Sequence, residues 1–217
     1  MAQKTTGLHG ILSSPAIYDF FQNVLGASKF RQTYAQEYVS ATTGDRILDI
    51  GCGTAIIRDF LPDKIDYVGC DVSKEYIAAA EKRFGGRGKF LCQMVDDITV
   101  DHLGQFDVVM ANGLIHHLDD IEVSGLCSIV RAALKPGGRF VTHDPCFSSE
   151  QGLLAHFLIR RDRGQNVRDK LGYLSLVEPH FEQASIDVRH GLARIPYTHA
   201  IMVARNRGVA SEMEKEN

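Results

Sequence analysis

No stretch of about eighteen consecutive apolar residues occurs in this chain of 217 residues, although 44% of them are hydrophobic. The first residues, Met-Ala-Gln-Lys-Thr-Thr-Gly, contain no apolar segment of the length of a secretory signal. The chain has no excess of positive charge, since its formal net charge is −3. A slightly negative net charge argues against a dedicated binder of nucleic-acid phosphates. We therefore expect a cytoplasmic protein that does not insert into a membrane and does not bind nucleic acid.

The chain also lacks paired cysteines. No Cys-x-x-Cys pair is present, and the five cysteines are spread singly, several of them in apolar runs: Cys52, Cys70, Cys92, Cys127 and Cys146. This spacing is typical of reduced core thiols and disfavours a disulfide framework or a structural zinc site. We expect no metal, and the length of the chain favours one domain with one sizeable core.

The stretch 47–55, Ile-Leu-Asp-Ile-Gly-Cys-Gly-Thr-Ala, joins a short apolar run to a Gly-x-Gly turn and then to a chain that can start a helix. Gly51 and Gly53 have no Cβ atoms, so a ligand that contains a nucleoside can lie directly against the main chain. The third glycine of the dinucleotide fingerprint would fall at position 56, which is isoleucine. A purely structural turn in another α/β protein remains an alternative at this point.

Short apolar segments then alternate with helical ones, which predicts a parallel sheet with helices on both faces. The predicted strands are 46–50, 65–70, 90–93, 106–111 and 139–143. The predicted helices between them are 55–61, 74–84, 100–103 and 120–134. Ser73 is a plausible N-cap, and the sequence Lys-Pro-Gly-Gly at 135–138 is expected to end the last of these helices.

Irregular segments flank this alternating region. Two amphipathic helices are expected between 14 and 41, and helices near 151–159 and 167–181 are expected to form a substrate cover at about 145–182. Two antiparallel closing strands are predicted at 184–195 and 198–204. The organisation is thus a helical cap at 1–45, a ligand-binding domain at 46–205 and a flexible tail at 206–217.

Polar residues that directly follow the strands are the candidate site, because ligands of open parallel sheets collect at that edge. Asp71 lies about twenty residues past the glycines, where a carboxylate accepts hydrogen bonds from ribose hydroxyls, although it could instead merely start the next helix. After the third strand, Met94 and Val95 are expected to contact a base, with Asp96 a less favoured polar contact. His116 and His117 follow the fourth strand, and His143 follows the fifth.

Four ordered motifs carry a resemblance: Leu-Asp-Ile-Gly-Cys-Gly-Thr, Val-Gly-Cys-Asp-Val-Ser, Phe-Asp-Val-Val-Met-Ala-Asn-Gly-Leu-Ile-His-His-Leu and Leu-Lys-Pro-Gly-Gly-Arg-Phe. Over 47–144 the chain resembles the class I S-adenosylmethionine-dependent methyltransferases, small-molecule branch, and is similar to the quinone C-methylase-like subgroup. The resemblance implies a Rossmann-like, seven-stranded, mostly parallel sheet with helices on both faces and an antiparallel last strand. It also implies S-adenosylmethionine as cofactor.

The resemblance further implies which residues bind the cofactor. Asp49, Gly51 and Gly53 would line its methionine part, with Cys52 in the same turn. Asp71 and the adjacent Val72 would take the ribose side, Met94 and Val95 would flank the adenine, and Asn112 and Gly113 would pass beneath the sulfonium. The family often has Asp at the position of Met94, so a polar contact to the adenine is in doubt. Tyr18 and Arg31 are expected to close the pocket and neutralise the methionine carboxylate.

Methyl transfer to a hydroxyl or a protonated nitrogen benefits from a base, because the attack releases a proton. His116 is the first candidate for this base and His143 the second. In similar methylases the residue at the position of His116 faces the acceptor and that of His117 more often packs. Tyr197 and His199, after the turn between the closing strands, are further candidates for acceptor contact.

An arginine cluster lies in the expected cover: Arg160, Arg161, Arg163 and Arg168. Arginine forks suit carboxylates and phosphates, so Arg160 and Arg163 predict an acidic or phosphorylated small-molecule acceptor. A solvated charged turn is the alternative for this cluster.

Other functions also fit parts of the sequence. The leading hypothesis is a small-molecule methyltransferase, with O-methylation ahead of N- and C-methylation. A methyltransferase of RNA or protein, a nicotinamide dehydrogenase and a non-catalytic cofactor-binding module that serves a partner are the alternatives. The sequence leaves the acceptor and the oligomeric state open.

Overall fold

A computed structural model of the chain describes residues 27–162, 164–192 and 196–206. The first of the two helices expected between 14 and 41 lies mostly outside these residues, and so do positions 207–217 of the expected tail.

One sheet forms the centre of the structure. Its strands are β1 (Arg46–Ile50), β2 (Asp66–Asp71), β3 (Lys89–Cys92), β4 (Phe106–Met110), β5 (Leu134–Phe147), β6 (Arg168–Asp169), β7 (Gln183–His190) and β8 (Thr198–Arg205). Seven strands lie in the order β3-β2-β1-β4-β5-β8-β7, and the two-residue β6 pairs with the end of β5. β8 runs antiparallel to both of its neighbours, whereas the pairs among β1 to β5 are parallel. The predicted seven-stranded, mostly parallel sheet with an antiparallel last strand is confirmed.

Helices cover the sheet. They are α1 (Ala27–Thr33), which continues as a π-helix over Tyr34–Val39, α2 (Lys74–Phe84), α3 (Asp97–Leu103), α4 (Asp120–Ala133), α5 (Leu153–Arg160) and α6 (Lys170–Val177), with 3-10 turns at Ile56–Phe60, Ile115–His117 and Glu178–His180. Ser73 caps α2 as predicted, because its side chain accepts a hydrogen bond from Tyr76 N. Asp119 and Glu122 form a capping box at the start of α4.

Consecutive residues of the central strands pack into two different cores. Ile47 and Val108 belong to a cluster that includes side chains of α1 and α2, whereas Leu48 and Val109 belong to one that includes side chains of α4 and α6. All four side chains are fully buried. Because successive side chains of a strand point to opposite faces, a strand buried on both faces reads as a continuous apolar run, and this is the pattern on which the strand predictions rest.

Three boundaries differ from the prediction. Residues 135–138 lie inside β5 rather than between a helix and a strand, and the register of β4 against β5 shifts there, between the pairs of Phe106 and Val108. The segment 55–61 forms a short 3-10 turn rather than an α-helix. The first closing strand ends at His190 instead of 195, because Gly191 adopts a left-handed φ of +67° that interrupts the extended backbone. Among the described residues, no helix is long and apolar enough to cross a bilayer.

Candidate active site at the carboxyl edge of the sheet

The glycine turn after β1 follows the strand as the sequence predicts. Gly51 and Gly53 adopt φ values of +71° and +55°, which only glycine tolerates at little cost. The third left-handed residue is Ala55, with φ +54° and a fully buried side chain. The position that a third glycine would suit is therefore 55 and not 56, which further separates this turn from the dinucleotide fingerprint.

Asp71, at the end of β2, forms hydrogen bonds with both this turn and the start of the next helix. Its Oδ2 accepts a hydrogen bond of 3.0 Å from Gly53 N, and its Oδ1 accepts one of 2.8 Å from Ser73 N. The carboxylate therefore lies between the glycine turn and the start of α2. The role of Asp71 at the helix start is observed, whereas its contact with a ligand stays a prediction.

Asp49 holds a buried carboxylate oxygen that has no partner among the residues described. Its side chain is 1% exposed, and its Oδ2 accepts a hydrogen bond of 2.6 Å from the Tyr67 hydroxyl. Its Oδ1 has no hydrogen-bond partner. Burial raises the pKa of Asp49 to about 7, against the lowering effect of the Tyr67 hydroxyl. An oxygen of this kind is well suited to accept a hydrogen bond from a cationic donor such as an ammonium group.

Two apolar side chains are exposed where β2 and β3 end. Val72 is 68% exposed and Met94 is 74% exposed, while Val95 packs against the core. The exposed Cys92 donates its thiol hydrogen to Val72 O at 3.7 Å. Beneath the turn, the side chain of Cys52 contacts Gly69 in β2. A Cβ atom at position 69 would lie only 2.9 Å from Cys52 Sγ. The contact of Met94 and Val95 with a nucleoside base stays a prediction, and exposed apolar side chains at this edge are suited to such a contact.

The π-helix brings Tyr34 close to Asn112, which follows β4, and to His143 in the C-terminal part of β5. The Tyr34 hydroxyl donates a hydrogen bond to Asn112 Oδ1, and His143 Nδ1 lies 3.1 Å from the same oxygen. Gly113, with φ +62°, donates its N–H to His143 O at 2.8 Å. An amide oxygen can only accept, so a neutral His143 carries its proton on Nδ1 and its lone pair on Nε2.

His143 lies in an aromatic cluster. The ring of Phe30 contacts it edge-on, with 4.8 Å between centroids, and stacks on His199 at the same distance. Tyr197 also contacts His199, with 5.2 Å between their ring centroids. Burial, together with the charges of His199, Arg31 and His116, lowers the pKa of His143 well below its usual value, and burial lowers that of His199 to about 4. Both rings are therefore neutral at neutral pH.

His116 has a different environment, because a carboxylate faces each of its ring nitrogens. Nδ1 lies 2.8 Å from Asp144 Oδ1, and Nε2 lies 3.3 Å from Asp162 Oδ1. Burial alone would lower the pKa of His116, but the hydrogen bonds and charges of the two carboxylates outweigh it and raise the pKa to about 9. The ring is an imidazolium at neutral pH and has no lone pair to accept a proton.

Asp162 links the cover to the rest of the site. Besides His116, it accepts hydrogen bonds from Gly164 N at 2.9 Å and from the Tyr197 hydroxyl. Burial would raise the pKa of Asp162, but these hydrogen bonds hold it well below the usual range. Gly164 contacts the ring so closely that a Cβ there would lie 2.0 Å from His116 Cδ2. The predicted cover is thereby fixed on the turn that follows β4.

The remaining candidates are dispersed. His117 is exposed, and its ring contacts that of His116 at a tilt of 39°, with 4.0 Å between ring centroids. Arg31 is half-buried on α1, near enough to His143 for its charge to lower the pKa of that ring. Arg160 is exposed at the end of α5, and Tyr18 and Arg163 lie outside the described residues.

The described arginines of this cluster have different surroundings. The guanidinium of Arg161 lies 4.5 Å from the centroid of the Phe157 ring. Arg168 donates to Leu118 O at 2.9 Å and to Asp120 Oδ1 at 2.6 Å. Arg168 is thus a structural link between β6 and the turn after β4.

Reasoning from sequence missed three residues of the site. Tyr34 and Phe30 lie in a predicted amphipathic helix whose apolar pattern indicates ordinary core packing, and Asp162 lies in a charged run that is typical of a solvated turn. No local signal distinguishes these residues, because their partners, Asn112, His199 and His116, are distant in sequence.

Comparisons with known proteins agree with this geometry. Residues 48–140 match a family model described as a methyltransferase domain. A ubiquinone biosynthesis O-methyltransferase of Bordetella avium is 26% identical over 54% of this chain and 50% of its own length. Phosphoethanolamine N-methyltransferase 1 of Arabidopsis thaliana is 28% identical over 63% of this chain and 28% of its own length. The matches thus span half or less of these relatives.

Solved structures share the fold. The structure of human N-acetylserotonin methyltransferase in complex with S-adenosylmethionine superposes with a TM-score of 0.63 over 94% of this chain and 60% of that one, at 16% identity. The family match covers the glycine turn, Asp71 and the turn after β4, which are the same elements that form the candidate site. Residues 48–140 of the chain thus match a methyltransferase domain, and the sheet has the fold of the class I S-adenosylmethionine-dependent methyltransferases.

Proposed function

We propose that this protein transfers a methyl group from S-adenosylmethionine to a small-molecule acceptor. One observation carries the proposal: the unpartnered, buried Oδ1 of Asp49 lies next to a left-handed glycine turn, on a chain whose residues 48–140 match a methyltransferase domain. The named relatives act on small molecules of different kinds, which supports a small acceptor without selecting one.

The residues at the sheet edge fit the proposed cofactor. Asp49 Oδ1 would accept a hydrogen bond from its ammonium group, and the turn at Gly51, Cys52 and Gly53 would leave room for its methionine part. The carboxylate of Asp71 would also accept hydrogen bonds from the ribose, because each of its oxygens accepts only one hydrogen bond from the residues that the structure describes.

On the far side of this site, Val72, Met94 and Val95 would contact the adenine, and Asn112 and Gly113 would lie beneath the sulfonium. Arg31 would neutralise the methionine carboxylate, and Tyr18, in the part of the chain before α1, would help to close the pocket. When bound, the cofactor supplies an activated methyl group, so that the chain itself needs only to align the acceptor and take up its proton.

We assign the proton to His143 rather than to His116. The neutral ring of His143 has its lone pair on Nε2, whereas His116 is held as an imidazolium between Asp144 and Asp162. A hydroxyl acceptor would therefore lose its proton to His143 Nε2 as the methyl group transfers, and His116 would keep the cover in place.

The acceptor would lie between the C-terminal part of β5, which holds His143, and the cover. His199 and Tyr197 would contact it from the start of β8, and His117 would contact it from the turn after β4. Arg160 and Arg163 would bind an acidic or phosphorylated group, if the acceptor carries one. The proposed compartment is the cytoplasm, in keeping with five cysteines that are all free thiols.

Calorimetric titration with S-adenosylmethionine, S-adenosylhomocysteine and NAD tests the proposal. We expect micromolar binding of the two sulfur nucleosides and no binding of NAD, with binding lost in Asp71→Ala and weakened at least about tenfold in Asp49→Asn. Asp66→Asn is the matched control, because Asp66 begins the same strand at the opposite edge of the sheet. Absence of binding by both sulfur nucleosides would refute the proposed function.

A further inference from the structure

Helix α5 exposes three large apolar side chains on the face that is turned away from the rest of the protein. Leu153, Leu154 and Phe157 are 92%, 58% and 49% exposed, while Ala155 and Ile159 are buried. At about 100° per residue, the three exposed side chains fall within an arc of roughly 100°, and the two buried ones lie on the opposite side of the helix. The outward face of α5 is therefore apolar, where an ordinary surface helix is polar.

Positive charge borders this apolar face. Arg160 is exposed, and its direction on the helix is about 20° from that of Leu153. The next residue, Arg161, is exposed as well and lies over the ring of Phe157. The helix contains no acidic residue. The nearest carboxylate along the chain, that of Asp162, is turned inward to His116 and Tyr197.

We propose that the outward face of α5 docks on the surface of an anionic lipid bilayer. Leucine and phenylalanine side chains would enter the boundary between head groups and acyl chains, and the two arginines would contact lipid phosphates. This is peripheral binding by one short helix.

The charge pattern selects lipid over a second copy of the chain. A two-fold contact through α5 would bury the two arginines of each copy against the apolar side chains of the other, and the helix has no acidic residue to pair with them. An anionic bilayer offers both an apolar interior and opposite charge.

Docking would also orient the protein. Since α5 belongs to the cover, the carboxyl edge of the sheet would face the lipid, and an acceptor with an apolar tail could enter from the bilayer. This consequence rests on the proposed function, whereas docking itself does not.

Flotation of the full chain with vesicles tests the inference. We expect binding to vesicles of phosphatidylcholine mixed with phosphatidylglycerol, little binding to phosphatidylcholine alone, and weaker binding as the salt concentration rises. The variant Leu153→Ser/Leu154→Ser/Phe157→Ser should lose binding. The variant Arg160→Gln/Arg161→Gln should weaken vesicle binding at least about tenfold, because each basic residue near an anionic membrane surface contributes about 1 kcal/mol.

Control variants separate docking from folding and from cofactor binding. Lys74→Gln/Lys82→Gln removes the same number of charges from the exposed face of α2 and should bind vesicles like the wild type, and Phe157→Leu should retain binding. Every variant should keep the wild-type affinity for S-adenosylhomocysteine. Three results would overturn the proposal. The wild type could fail to bind the anionic vesicles, or the α2 variant could lose vesicle binding as much as the Arg160/Arg161 variant does. Light scattering could also show a dimer that Phe157→Ser converts to a monomer.

Discussion

His116 Nδ1 lies 2.8 Å from Asp144 Oδ1, and the backbone N–H of His116 donates to the same oxygen at 3.1 Å. One carboxylate oxygen at the end of β5 therefore fixes both the ring and the main chain of the turn after β4. With Asp162 on the opposite ring nitrogen, the arrangement joins the sheet, the turn and the cover through one imidazolium.

The first prediction concerns the pH dependence of stability. Because the folded-state pKa of His116 is about 9, above its ordinary value of about 6.5, the protonated ring stabilises the fold fully below about pH 6.5, and this contribution is lost as the pH rises through about 9. It is on the order of 3 kcal/mol. Urea unfolding at a series of pH values should show the free energy of unfolding falling over this window in the wild type.

The control for this pH dependence is His116→Gln, which cannot titrate. Its free energy of unfolding should lack the decline between about pH 7 and 10, and Asp144→Asn should destabilise the protein by about 3–5 kcal/mol because it removes one partner of a buried charged pair. The same alkaline decline in His116→Gln as in the wild type would contradict the assignment.

The second prediction concerns the contact between the cover and this ring. Gly164→Ala would place a Cβ 2.0 Å from His116 Cδ2 and 2.7 Å from His116 O. The segment must then shift, so we expect a loss of about 1–3 kcal/mol in the free energy of unfolding and faster proteolysis of the cover. Gly125→Ala is the matched control, since nothing lies within 4 Å of a Cβ there. It should raise stability slightly because alanine favours the helix.

The third prediction uses a native thiol near the proposed adenine site. Cys92 is the one exposed cysteine among the five, and its Sγ lies 3.7 Å from Val72 O. We expect one thiol to react rapidly with a disulfide reagent, and saturating S-adenosylhomocysteine to slow this reaction. Cys92→Ser should abolish the rapid phase. A rate that is unchanged by the nucleoside would place the adenine elsewhere.

The fourth prediction concerns the protonation of His143. Because burial lowers the pKa of His143 well below the usual value and Asn112 Oδ1 accepts from its Nδ1, the ring should stay neutral at pH 6 to 8, roughly, with its proton on Nδ1. Long-range proton–nitrogen NMR spectra measure both properties. Asn112→Ala should remove the preference for this tautomer, and a wild-type ring protonated on Nε2 would argue against His143 as the base.

Much of the fold could be predicted from sequence, because its signals are local. The apolar runs of β1 and β4 are buried on both faces of a parallel sheet, and α2 begins and ends at the residues that its cap and periodicity predict. Gly51 and Gly53 are also a local signal. They indicate a left-handed turn because other residues rarely adopt the backbone conformation observed there. The order of such motifs along the chain was enough to predict the family.

The roles of the two histidines depended on tertiary structure. Both are predicted at the carboxyl ends of strands and look alike in sequence. In the structure His116 lies between two carboxylates, from β5 and the cover, whereas His143 lies within β5 and is enclosed by Phe30, Tyr34 and His199. A histidine pKa is set by burial and by charges within a few ångströms, and these neighbours are up to about a hundred residues away along the chain. The sequence alone determined which residues reach the carboxyl edge of the sheet, and only the packing of α1 and the cover against that edge decided which ring is charged and which is neutral.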